Sequence, residues 1–180
     1  MRLSEFLLPE LDLEMSYVRK HLERVPMDRL DFKPHEKSMP LGWLATFIAF
    51  SPSWGTAIIT QDSFDVAPGG VPIQQTKVAE SRPALLQMFD ENVAAVRSAV
   101  ASATNEQLGE SWSLLAAGNT IFTQTKYLLF RTYFLNHTVH HRAQLGMYLR
   151  MVGVAVPAIY NDSADESGGM FIDTDAGARA

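Results

Sequence analysis

The chain has 180 residues and a mass of 20.0 kDa, the size of one domain with enough length to bury a sizeable core. Its net charge of −5 and its singly scattered Lys and Arg exclude a binder of nucleic-acid backbones, which needs clustered positive charge. The absence of cysteine removes disulfides, thiolate metal ligands and a cysteine nucleophile together, and it fits a reducing compartment.

The first fifteen residues place Glu5, Glu10, Asp12 and Glu14 where a signal peptide needs an uninterrupted apolar run. No stretch approaches the roughly 20 apolar residues of a membrane span. The expectation is a cytoplasmic protein with no membrane partner. Leu7, Leu8, Leu11, Met15, Val18, Leu22 and Val25 recur by threes and fours, which predicts a first amphipathic helix from residue 4 to about 24, ended by Pro26. A polar connection to Pro40 follows, with Ser38 as a start signal for the next helix.

The second predicted helix runs from about 41 to 60, with Leu41, Leu44, Phe47 or Ile48, Ser51, Trp54 and Ile58 inward; Pro52 should kink it. Asp62, Asp65, Pro68, Gly69, Gly70 and Pro72 give residues 61–76 the chemistry of a loop. Ser81 and Pro83 open a third helix with the stripe Leu85, Leu86, Phe89, Val93, Val96 and Val100. A second long connection covers about 102–121. The fourth helix, the longest, runs from about 122 to 152 and stops at Gly153. With no convincing strand pattern, the fold class is all-α. One domain spans 1–180: a four-helix bundle of up-down-down-up type with two long connections and an extended tail from about 154 to 180.

The fourth helix carries the chemistry. At about 100° per residue, Tyr127, Phe130, Phe134, Leu145, Tyr148 and Val152 share one arc beside His137. His141 falls in the middle of that arc, His137 at its edge, and His140 on the flank. Tyr133 falls on the opposite side of His137, as a pocket-rim hydroxyl or an interface residue. Two imidazoles one turn apart can grip one divalent ion from a rigid helix, and neutral imidazole suits nickel, zinc or iron. A single histidine on an apolar stripe is more often a hydrogen-bonded core residue; two on one stripe each need partners. A third ligand is not evident: His21 lies on the first helix, His35 in a loop, and residues 41–60 hold no His, Asp or Glu. Trp43, Trp54 and Trp112 read as core or interface anchors. His140 and Arg142 read as contacts for the tail, where Asp162, Asp165 and Glu166 can receive them.

The segment Leu135-Asn-His-Thr-Val-His-His-Arg-Ala-Gln-Leu145, with Tyr148-Leu-Arg150, Gly153, Val156-Pro157 and Tyr160-Asn-Asp-Ser-Ala-Asp-Glu166, closely resembles the DinB-like family. Lys33-Pro-His-Glu-Lys-Ser38, Leu41-Gly-Trp-Leu-Ala-Thr46, Phe89-Asp-Glu-Asn-Val93 and Trp112-Ser-Leu114 extend the resemblance over nearly the whole chain. It implies a four-helix bundle that commonly dimerises and a divalent metal on three histidines, two of which map onto His137 and His141. The third belongs in the phrase Leu-Ala-Thr-His-Ile-Ala, which here reads Leu44-Ala-Thr-Phe-Ile-Ala49, so Phe47 stands where the ligand is expected. Relatives include metal-dependent transferases that act with low-molecular-weight thiols.

Three readings follow. The first is a metal-dependent, transferase- or hydrolase-like enzyme with a degenerate site on His137 and His141, its metal (nickel, zinc or iron) weakened or lost through Phe47. The second is a non-catalytic relative whose pocket, with Phe47 and Tyr133 as its residues, binds a small apolar ligand or is simply filled by Phe47. The third is a structural homodimeric bundle serving a stress response. Phe47 favours the last two, and the retained histidine pair favours the first.

Overall fold

Apolar residues spaced by threes and fours wind α1 (Ser4–Leu22), whose Leu7, Leu11, Met15, Val18 and Leu22 are all buried. The computed structural model describes residues 2–73 and 77–167 of the chain; residues 168–180 of the expected tail lie outside them. The second predicted helix is two helices, α2 (Leu41–Phe50) and α3 (Pro52–Thr60), which meet at Ser51. Pro52 sits at the start of α3, where its missing N–H costs nothing. The expected kink is thus a change of helix. Ser38 does not cap α2, whose N-cap is Pro40 with no side-chain bond.

Ser81 does cap α4 (Arg82–Ser102), accepting the Ala84 N–H at 3.3 Å. The short α5 (Asn105–Gly109) follows. The fourth predicted helix begins later than the sequence suggests: α6 (Lys126–Leu129) passes into a π-helix at Phe130–Asn136 and then into α7 (His137–Met151). Gly153, at φ +78°, closes α7 as expected, with its N–H on Arg150 O and the Val154 N–H on Leu149 O. Helices α1, α2 and α3 pack on α4, and α1 and α2 also meet α7. Among the described residues no helix is long and apolar enough to cross a membrane.

The all-α expectation needs correction. The two long connections contribute a three-stranded sheet in the order β1 (Ser63–Asp65), β2 (Ser111–Ala116), β3 (Asn119–Thr125). Strand β1 runs parallel to β2, and β2 pairs antiparallel with β3, Ser113 opposite Thr123. Ala117 and Gly118, both at positive φ, form the two-residue turn of the hairpin. The Asp65 carboxylate accepts the N–H groups of Ala67, Ala117 and Gly118, so β1 pins the turn that β2 and β3 share. On one face of β2, Trp112 and Leu114 are buried in the core. The sheet also touches the site: Phe64 packs edge-on to Trp54, and Phe122 to Tyr133. The protein is therefore mostly helical with a small three-stranded sheet.

Candidate functional site

His137 is the first residue of α7 and His141 stands one turn further, so both rings project from the same side of a regular helix. Their Nε2 atoms approach to 2.9 Å. His141 Nδ1 lies 2.8 Å from Gln144 Oε1, an arrangement in which the ring donates its Nδ1 hydrogen to the amide oxygen. His137 is hydrogen-bonded to the Tyr133 backbone, a bond that favours its protonated ring. If each outer nitrogen donates, both Nε2 lone pairs face one another; if the Gln144 amide is turned to donate to His141 Nδ1, His141 gives an Nε2–H to His137 Nε2. Burial pushes the pKa of both rings below the ordinary histidine value; for His141 the Gln144 bond opposes this, and the neighbouring His137 and His140 reinforce it. Both imidazoles are therefore neutral near pH 7, the form that can coordinate a cation.

Two nitrogens sharing one ion at 2.0–2.1 Å stand about 2.9–3.4 Å apart, depending on the angle between them. The pair fits that span, and the engaged outer nitrogens are the second shell such ligands require. The three-imidazole set does not fit. Phe47 places its ring centroid 4.9 Å from that of His141 and 5.8 Å from that of His137, nearly perpendicular to the former, and stacks on Trp43 at 5.3 Å. Among the described residues no three His, Asp or Glu gather in a metal-holding group. His137 and His141 thus meet, and the Phe47 ring packs against both.

Beside the pair lies a cavity of about 180 Å³, walled by Phe47, Trp54, Tyr133 and Phe134, with His137 at one side and Ser51 and Thr138 completing it. Tyr133 lines it directly, because the wider π-helical turn advances each residue through a smaller angle than the regular wheel assumes. The same change of phase leaves Tyr127, expected inside, 38% exposed. Burial raises the Tyr133 phenol pKa, so its hydroxyl stays neutral. Ser51, Thr138 and Gln144 escaped the sequence reading as site residues. Gln144 had a signal, three residues beyond His141 on the same helix; Thr138 lies just past His137, and Ser51 marks the helix change.

The other expected contacts fall elsewhere. His140 is exposed on α7, its ring 5.0 Å from that of His141. Arg142 is buried and reaches the tail through Tyr160, while Asp165 pairs with Arg150 and Glu166 with Arg24. Trp112 is a core residue; Trp43 and Trp54 are half-buried at the site.

The family model of the DinB family matches residues 11–170. Two solved structures share the fold. A DinB-like protein (YjoA) from Bacillus subtilis superposes with a TM-score of 0.64 at 19% identity, covering 83% of this chain and 94% of that one. A DinB-like protein from Bacillus cereus gives 0.65 at 19% identity, covering 87% and 97%. No curated protein matches the sequence.

Proposed function

We propose, for a chain that belongs to the DinB family, a transferase-like enzyme that holds one divalent ion on His137 and His141 and works on a small molecule in the adjoining cavity. The observation that carries this reading is the convergence of two neutral Nε2 atoms to 2.9 Å with both outer nitrogens engaged. Without a cation, one ring carries its hydrogen on Nε2 and donates it to the other at 2.9 Å, the Gln144 amide turning to donate to His141 Nδ1. A divalent ion there would supply Lewis acidity toward a thiol or a water. Gln144 and the Tyr133 backbone hold the imidazoles in register, and Phe47, stacked on Trp43, keeps bulk water from the third side. We read α1, α2 with α3, α4, and α6 through α7 as the four arms of an up-down-down-up bundle, cytoplasmic and homodimeric. The exposed Met147 and Met151 on α7 support a covered face.

The test is metal titration of protein purified without a nickel column. We expect one nickel or zinc per chain, lost in His137→Ala and in His141→Ala. Phe47→His should tighten binding by more than about tenfold by restoring a third donor. Metal uptake unchanged in both alanine variants overturns the reading. Phe47 itself favours a second reading, a metal-free binding protein; it predicts no uptake by the unmodified chain and full retention of the cavity's ligand.

A further inference from the structure

The cavity beside His137 has a chemistry of its own. At about 180 Å³ it is slightly larger than the roughly 150 Å³ that admits benzene in an engineered apolar cavity. Its walls are ring systems, and Trp54 and Tyr133 meet nearly edge-on, at 80° with centroids 6.0 Å apart. A flat guest can find a face of one and an edge of the other, an arrangement aromatic pairs prefer. Among the described residues no Asp, Glu, Lys or Arg lines the space, so a charged guest would lose its hydration without a counter-charge.

The floor is polar in one sense only. Ser51 donates its single hydroxyl hydrogen to the Ile48 carbonyl at 2.9 Å, and its oxygen is 3.0 Å from Thr138 Oγ1. By that count the Thr138 hydrogen is the one between the two hydroxyls, donated to Ser51. Thr138, 2% exposed, then has lone pairs left and no hydrogen to give. A guest that brings its own O–H or N–H satisfies this acceptor; a guest with only acceptors does not.

We propose that the cavity takes a small uncharged planar ring compound bearing one hydroxyl or N–H donor, a molecule of phenol size, as the ligand of the same site on which the metal reading rests. The donor goes to Thr138 Oγ1, and the ring lies against Trp54 and Tyr133, next to His137.

Phenol, benzene and benzoate, titrated in turn into the EDTA-treated full chain, separate size from donor and from charge. The readout is the shift of the Trp54 indole N–H and the Thr138 amide by NMR. Phenol should saturate both signals, benzene should bind about fivefold more weakly, and benzoate should not saturate. In Thr138→Val the phenol affinity should fall about fivefold while that for benzene stays put. Phenol that never saturates the signals, benzoate that binds as well as phenol, or benzene that matches it on the unmodified chain overturns the proposal. Because metal is absent throughout, failure of the metal titration leaves these shifts untouched, and failure here leaves the metal titration to be read alone.

Discussion

Buried histidines are held in two ways in this protein, and the difference separates a site from a core. His21, 3% exposed, donates from Nδ1 to the Tyr17 carbonyl at 2.8 Å and, among the described residues, faces no second imidazole. Burial pushes its pKa down to about 4, the Tyr17 bond opposes the shift, and Arg142, Arg24 and Lys20 add to it. An unfolded chain binds that proton near pH 6.5, so between pH 6.5 and 4 the unfolded state holds more protons than the folded one. Stability is therefore highest above pH 6.5 and falls as pH drops through this window, by about 3 kcal/mol from His21 alone. Urea unfolding at pH 7 and pH 4.5 reads the loss. His21→Gln should remove the His21 share of that difference and leave the rest, and an unaltered pH dependence would show that His21 ionises freely in the folded chain. His137 and His141 shift in the same direction but remain in both proteins, so they cancel in the comparison. At Phe47 the sequence raises its sharpest expectation, a histidine by resemblance, and the ring found there packs edge-on to His141 and stacks on Trp43.

At the scale of elements, the long helices were legible because burial selects one stripe: Leu85, Phe89, Val96 and Val100 of α4 face inward as their spacing predicts. The sheet was not. Its strands have three to seven residues, and the hairpin turn carries Ala117 in place of the Asn or Asp that usually marks positive φ. Asp65 supplies from a distance the hydrogen bonds that hold this turn, a cue no local window contains. The π-helix was equally silent, and a wheel drawn at constant angle put Tyr127 inside where it is 38% exposed, while Tyr133 keeps the pocket-rim place expected of it. What keeps that segment seated is close packing on α3. A Cβ at Gly55 would come within 2.7 Å of both Phe134 Cδ1 and Val96 Cγ2. Gly55→Ala gains up to about 1 kcal/mol of helix propensity but forces a buried ring to move, at about 1–3 kcal/mol. The expected net is a loss of about 1–2 kcal/mol, seen as a Tm lower by roughly 2–8 °C. Because Phe134 walls the cavity, the same variant should also perturb the Trp54 indole signal. A Tm at or above that of the parent would mean the ring yields freely.

Across the whole molecule, the match to the DinB family over residues 11–170 reaches beyond α7 into the tail, which is tied to the helices by Arg24–Glu166, by Arg150–Asp165 and by a triad built on the buried Arg142. Arg142 of α7, 2% exposed, pairs with Glu14 of α1 and donates to the Tyr160 hydroxyl at 2.7 Å, while Tyr160 donates to the other oxygen of Glu14. Tyr17 and Tyr160 meet edge to face at 5.1 Å, and the guanidinium lies over both rings. Two helices and the returning chain thus close a ring of hydrogen bonds around the buried Arg142 and Glu14, with Tyr160, 38% exposed, on its outer side, one turn below Thr138 and next to His141. Removing one charge leaves the other buried without a partner, so Arg142→Met should cost about 3–5 kcal/mol. Tyr160→Phe removes two hydrogen bonds but spares the ion pair, so about 1–3 kcal/mol is expected. If the triad also holds the tail, both variants should expose the chain beyond Gly153 to limited proteolysis, Tyr160→Phe without loss of the helical core. Glu14→Leu combined with Arg142→Met should recover part of the stability lost in Arg142→Met alone, since no unpaired charge then remains. Equal instability of the single and the double variant would locate the loss in packing around α7, and the ion pair would then not be what ties the tail to the helices.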